Sequence, residues 1–383
     1  MNKDKLKNII PILLLLFFSL KQIIVNYSTI NQYHIYSKLN HTLTFGIVFL
    51  LVFFIIFFCQ YKIKQYAAIT FIGIMIVVSS FITKDLAIVV FYLFVLALKN
   101  IDYKKIVKTI CFSQITGVSL ILMLFNLGLI DERISTRLGI VRRSYGFGHP
   151  AFLSTFYLMI VMELFYLYEN KIKYYHIIIV VILAEIIDRT TDGRTNMYCL
   201  FLFLFLFVIR KSFRKILDLK TIMYVTNYIF LFLALLCSVY LAAKFNPYNI
   251  LEAKLNSILS NRLYLSNYFW NNYGPSLFGQ PLKFISTLEG SLTGQSVLIL
   301  DNFYLNLVIK FGLVMTGLFV GFVLKLLKLL YLREETTLLI IVFVFLVYSL
   351  ISPIIINLEL NFIFFAGVFI FQKQYNPKNE QFN

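Results

Sequence analysis

The chain has 383 residues, of which 60% are hydrophobic and 17% aromatic, and it carries a formal net charge of +17. Its mean hydropathy of +0.82 is incompatible with a water-soluble globule, so soluble enzymes and soluble nucleic-acid-binding domains are excluded. Cys59, Cys111, Cys199 and Cys237 show neither metal-site spacing nor a disulfide framework, and no G-x-x-x-x-G-K-[ST] phosphate loop occurs.

A run of about 20 apolar residues is enough to cross a bilayer. In chain order, such runs fall near residues 8–25, 43–59, 67–82, 85–98, 106–127, 151–168, 174–187, 197–209, 221–242, 303–327, 337–352 and 353–371. They predict an all-α, polytopic integral membrane protein of about twelve transmembrane helices, forming one membrane domain over residues 1–383. Pro353 could instead join the last two runs into a re-entrant hairpin. The basic start at Lys3, Lys5 and Lys7 resembles a signal peptide, but no small-residue cleavage site follows the first run, which therefore reads as an uncleaved span.

Basic residues in short loops favour the cytoplasm. With the N-terminus inside, alternation places roughly 21 of the 35 basic residues on the inner side, including Lys99, Lys104, Arg210, Arg214, Lys215, Lys373 and Lys378. Both termini are then cytoplasmic. The inner set is almost entirely lysine, whereas Arg133, Arg137, Arg142, Arg143, Arg189, Arg194 and Arg262 fall at outer loops and span ends. Lysine suffices as a topology signal, but arginine's planar fork of donors suits phosphate recognition.

Three outer segments carry the candidate chemistry. The arginine loop, 128–150, ends in Arg142-Arg143-Ser-Tyr-Gly-Phe-Gly-His149-Pro150. Its glycines permit tight backbone geometry, and Pro150 suits a helix start. The loop either binds an anion or lies against lipid head groups. The polar turn 188–196 contains Asp188, Arg189, Asp192 and Arg194, which could pair with one another or present Arg194 to a ligand. The large outer loop, 244–301, contains a helix predicted to lie on the membrane over 254–270, with Arg262 in the middle of its apolar face. Arg262 there must snorkel or meet an anion. Asp301 either caps the helix that follows or acts chemically. Glu163, Lys310 and Glu359 lie inside spans, where an ionisable side chain is a functional candidate by default. His34, His41 and His176 read as inert interfacial histidines.

Arg143-x-x-Gly-Phe-x-His149-Pro150 resembles the outer-loop motif of Wzy-type polysaccharide polymerases. Arg137 and Gly148 match the R-x10-G spacing of that family, and Asp192-Gly193-Arg194-Thr195 resembles the S-R-[GT] turn of the wider O-antigen ligase and polymerase superfamily. Arg262, Trp270, Pro275 and Phe278-Gly279, followed by Asp301-Asn302-x-Tyr304 and Gly312, resemble its second large loop. Gly274 lies one residue too far from Arg262 for R-x10-G, and Ala151 stands where the family usually has Asn. The resemblance covers residues 130–315 and implies a glycosyltransferase C-like fold in a bacterial plasma membrane, with an outward-facing site.

It further implies polymerisation of polyprenyl-diphosphate-linked oligosaccharide repeat units for capsule, exopolysaccharide or O-antigen, with no cofactor. Without a D-x-D metal motif in the outer segments, arginines would replace a divalent cation. The resemblance makes Arg143, Arg194 and Arg262 diphosphate ligands supported by Arg137 and Arg142, and it makes Asp301 the base, with His149 as second candidate. Expected partners are the lipid-linked oligosaccharide, membrane lipid, a chain-length regulator and a repeat-unit flippase, with no nucleic acid. A ligase that passes finished glycan to an acceptor is the nearest alternative. Asp301 favours the polymerase, since the ligases carry a histidine there. A transporter of lipid-linked oligosaccharide is the alternative from another class, although its related halves and midplane charges are not evident in this chain.

Overall fold

The computed structural model describes residues 3–32, 34–137, 139–213, 218–285, 290 and 293–372. Arg214, Lys215, Lys373 and Lys378, counted above among the inner cations, lie outside the described residues. The helices are α1 (Lys3–Tyr27), α2 (His34–Phe58), α3 (Ile63–Thr83), α4 (Ala87–Ala97), α5 (Tyr103–Asn126), α6 (Ala151–Leu167) and α7 (Tyr174–Thr191). They continue with α8 (Arg194–Ser212), α9 (Leu219–Lys244), α10 (Ile250–Ile258), α11 (Arg262–Tyr273), α12 (Phe303–Leu305), α13 (Gly312–Leu332) and α14 (Thr336–Tyr348).

Among the described residues, seven helices are long and apolar enough to cross a membrane: α1, α2, α3, α5, α8, α9 and the stretch Phe303–Leu332. Helices α4, α6 and α14 are apolar but shorter. The outer faces of the bundle are apolar too, with Phe49, Phe57, Phe71, Ile178, Phe205 and Leu236 all exposed. Apolar exterior on that scale marks a surface that meets lipid rather than water.

Inside, α1 packs on α5, α5 on α6, α6 on α8, and α14 lies between α8 and α9. The α14 strip from Leu338 to Leu346 is almost wholly buried, which makes it the axis of the core.

Four sequence expectations need correction. The all-α chain contains one antiparallel hairpin, β1 (Ile134–Arg137) with β2 (Ile140–Arg143), inside the arginine loop. The run 303–327 is not one helix. α12 passes into a π-helical turn over Asn306–Phe311, and Gly312 (φ 88°) breaks the path before α13. The surface helix expected over 254–270 is two helices, because Ser260 and Asn261 adopt left-handed backbone and end α10.

Finally, residues 353–371 form no α-helix, only 3-10 helices at Pro353–Ile356 and Ile363–Ile370. This segment nevertheless runs the height of the bundle. Ser349 O accepts from Phe303 N at one end, and Gln372 Nε2 donates to Ile101 O at the other. Irregular backbone at membrane depth is tolerated only inside protein or beside a polar cavity. Here Leu360, Phe362, Ile363 and Phe365 are fully buried.

The loops sort into two ends. Thr29 N donates to Gly146 O, Gly148 N to Tyr27 O, Lys310 pairs with Asp85, and Tyr27 and Asp85 line one cleft, so 28–32, 84–86, 128–150 and the π-helical turn before α13 share one end. At the other end Lys99 donates to Gln60 O, Arg210 pairs with Glu169, and Thr337 donates to the same carboxylate.

Candidate functional site

The hairpin register decides which arginines meet. Side chains alternate across a strand, and cross-strand partners share a face. Ser135 pairs with Arg142 and Arg137 with Ile140, so Arg137 and Arg142 lie on one face and Arg143 on the other. The first face docks on the end of α7. Arg142 is only 7% exposed, and its Nε donates to Thr191 O at 2.9 Å. Arg137 Nη2 reaches Asp192 Oδ2 at 2.6 Å.

Arg143 points away with its side chain 49% exposed, and it grips Glu132 through Nε and Nη2 at 2.8–3.2 Å. Those donated bonds hold the Glu132 carboxyl below its usual range. The expected grouping of Arg143 with Arg194 and Arg262 is therefore not formed. The hairpin register is the reason, and Glu132, which the sequence did not single out, holds Arg143 on that other face.

The polar turn completes the first cluster. Asp192 caps α7 in left-handed backbone (φ 47°), which turns its carboxylate to meet Arg137 on one oxygen and Arg194 Nε, at 2.8 Å, on the other. Gly193 follows because nothing larger fits: a Cβ there would stand 2.2 Å from Ser154 Oγ on α6. Below the turn, buried Asn196 donates to Ser154 Oγ at 2.7 Å and accepts from Tyr348 Oη at 2.7 Å, which fixes α8 against α6 and α14.

Arg133 Nη1 binds Gly148 O at 3.0 Å, but its Nη2, like Arg137 Nε, is buried without a hydrogen-bond partner among the described residues. Buried donors left this way are costly unless an anion or water meets them.

His149 sits beside this group. Its Nδ1 accepts from Ala151 N at 3.1 Å and so caps α6, and its ring lies against Phe152. Burial, then the charges of Arg142, Arg137 and Arg133, push its pKa down to about 4. The imidazole is thus neutral near pH 7, with Nδ1 already engaged.

Arg262 and Asp301 form a second cluster. Arg262 Nε reaches Asp301 Oδ2 at 2.7 Å, so the anion that Arg262 meets is this carboxylate. The helix-capping role falls to Asn302, whose side chain accepts from Leu305 N at 3.0 Å and donates to Ser238 Oγ at 2.9 Å. Leu263, Ser266 and Phe269 are buried on the side where α11 packs against α9, which anchors Arg262. Tyr348, at the end of α14, donates its hydroxyl to Asn196 next to the polar turn.

The segment 274–280 also has a defined seat. Leu313 N and Val314 N donate to Ser276 O and Leu277 O, and Gln280 N donates to Lys310 O. The approach is so close that a Cβ on Gly279 would lie 2.3 Å from Lys310 O, and one on Gly312 would lie 2.3 Å from Gly279 N. Of the ionisable residues within spans, Lys310 pairs with Asp85, Glu163 accepts from Gln114 at 2.9 Å, and Glu359 accepts from Tyr27 Oη at 2.8 Å. Comparison with protein-family models, curated proteins and solved structures returns no match to this chain.

Proposed function

We propose that the chain is a membrane glycosyltransferase that polymerises polyprenyl-diphosphate-linked oligosaccharide repeat units at the outer face of a bacterial plasma membrane, within an approximately twelve-span, glycosyltransferase C-like fold. The observation that carries the reading is the first cluster: Arg137 and Arg194 hold Asp192, Arg142 docks next to it on Thr191 O, and Arg137 keeps a buried donor without a partner among the described residues. Such a site attracts an anion with several oxygens.

In the proposed reaction, a hydroxyl oxygen of one repeat unit attacks the anomeric carbon of a second, lipid-borne chain. The carbon–oxygen bond to the diphosphate breaks, and the polyprenyl diphosphate leaves with the bonding pair. Arg137, Arg142 and Arg194 balance the charge that grows on it. The hydroxyl proton passes to Asp301, whose carboxylate Arg262 holds in place. His149, kept neutral and capping α6, serves better as a hydrogen-bonding neighbour of the diphosphate than as a base. Arg143 belongs to the other face of the hairpin, where it stabilises the loop through Glu132.

The test is glycan length in cells lacking the gene, with add-back of wild type, Arg194→Ala, Arg262→Ala or Asp301→Ala. Single repeat units without a ladder, rescued by wild type alone, are expected. Full-length chains stranded on the carrier would make the protein a ligase. Repeat units trapped on the inner leaflet would make it a transporter, a second reading favoured by the broken path at Gly312 and by the non-α crossing at 353–371.

A further inference from the structure

A cleft of about 1040 Å³ opens among α1, α2, α4, the end of α3 and residues 356–359. It lies beside the arginine cluster but does not share its arginines. Phe152, three residues past His149, lines it, and Tyr27 packs edge-on against Phe152 at 4.8 Å. Its volume lies just above the range for pockets that hold drug-sized ligands, about 300–1,000 Å³.

The lining has three parts. The floor is Tyr27, Asn357 and Glu359: Tyr27 Oη donates to Glu359 Oε1 at 2.8 Å and accepts from Asn357 Nδ2 at 2.6 Å. The peptide of Glu359 is itself fixed, since its carbonyl accepts from Gln114 Nε2 at 3.0 Å. One wall is a ladder of neutral groups in which Asn40 Nδ2 donates to Asn26 Oδ1 and Asn26 Nδ2 donates to Gln22 Oε1. Asn40 is buried, yet its Oδ1 has no partner among the described residues. The rim is apolar and faces outward, with Phe45, Val77 and Phe81 exposed, Phe81 by 86%. α2 packs on α1 and α4, whereas α3 packs on α4 and α13, so this rim lies where two neighbouring spans part.

Charge separates the cleft from the arginine cluster. Its lining holds one lysine, Lys84, with the carboxylates of Asp85 and Glu359; Lys310 and Lys21 stand outside the lining, the first bonded to Asp85 and the second to Thr44 Oγ1 and Asn40 O. With one lysine and no arginine in its lining, the site suits a diphosphate less well than the arginine cluster does. Carboxylate, amide and phenol groups between aromatic faces suit a ligand with many hydroxyls and apolar C–H surfaces. The irregular backbone at 356–359 is the kind that membrane proteins tolerate beside a ligand cavity.

We propose that this cleft binds the neutral, hydroxyl-rich head of a lipid-borne glycan, admitted from the bilayer between α2 and α3, with Glu359, Tyr27 and Asn357 as its hydrogen-bonding floor. The polymerase reading supplies only the role of that glycan, as the unit whose hydroxyl attacks. The binding itself stands apart from it.

The test is native mass spectrometry of the full-length protein in lauryldimethylamine oxide, a detergent without sugar. The probes are farnesyl β-maltoside, a maltosyl diacylglycerol and farnesyl phosphate. Wild type should retain farnesyl maltoside. Asn357→Ala and Glu359→Gln should each bind it about tenfold more weakly, as for loss of one buried hydrogen-bonding contact. Phe81→Ala, on an exposed rim residue that leaves the core intact, should also weaken it. Retention of farnesyl maltoside alone points to a lipid-linked intermediate, and retention of both maltosides points to a resident glycolipid; either supports the site. Equal binding by wild type and all three variants overturns the proposal, as does farnesyl phosphate held as tightly and lost in the same variants. Cells with a normal ladder requirement but cleft-independent binding sink the cleft alone. Cleft-dependent binding in a protein that makes no ladder sinks the polymerase reading alone.

Discussion

At the scale of single residues, adjacent arginines have opposite fates. Arg142 and Arg143 are neighbours in sequence, yet one is buried against Thr191 and the other salt-bridged outside to Glu132. Nothing in the motif read from the sequence announced a strand there, so the alternation that separates them was not legible. Arg194 beside Asp192 was legible as a pair, because the two are held by a short turn. The environment of His149 leads to a titration prediction. Its pKa lies at about 4, below the ordinary 6.5, because burial and three arginines disfavour the imidazolium. Between those values the unfolded chain binds a proton that the folded chain refuses, so stability falls as pH drops from 6.5 toward 4. NMR titration of labelled histidines should show this one still neutral at pH 5. Arg142→Ala, which removes the largest of the three charges acting on it, should move its pKa upward. A titration at the ordinary value in the wild type would remove the account.

At the scale of elements, close backbone approaches decide where loops sit. Gly193→Ala brings a Cβ within 2.2 Å of Ser154 Oγ and should cost about 1–3 kcal/mol by forcing α8 off α6. The double variant with Ser154→Gly should recover much of that loss, and thermal unfolding of the purified protein measures both. No recovery would mean that the glycine serves backbone geometry rather than space. The Gly279–Gly312 contact is of the same kind. The sequence showed both glycines but not that they touch, since more than thirty residues separate them. The surface helix was read as continuous because its apolar period survives the break. The left-handed pair Ser260–Asn261 leaves no mark on periodicity.

At the scale of the whole molecule, hydropathy was the strongest signal. Eleven of the twelve apolar runs lie on helices, and seven of the helices among the described residues are long and apolar enough to cross a membrane, a property that a sequence displays directly. The twelfth satisfied the apolar condition but not the helical one. The grouping of loops into two ends agrees with alternating spans and separates the arginines from most of the lysines. In a Cys237→Ala background, where the remaining Cys59, Cys111 and Cys199 are buried, a cysteine introduced at exposed Asn272 should react with a membrane-impermeant maleimide in intact cells. One at exposed Lys104 should react only after the cells are opened. The reverse pattern would put the arginine cluster in the cytoplasm and remove the reading of an extracytoplasmic glycan site.

The non-α segment at 353–371, which runs the height of the bundle, bears on how the protein is made. A helix can enter lipid alone because it satisfies its own backbone groups, and a segment of 3-10 turns and coil cannot. Its partners here are supplied by other spans: Tyr103 Oη and Gln114 Nε2 from α5 donate to Phe362 O and Glu359 O. This stretch can therefore cross only after α5 and the rest of the bundle stand around it, and it follows every one of them in the order of synthesis. Membrane insertion would then end with a docking event rather than a partitioning event, and the polar cleft would come into being with that last step.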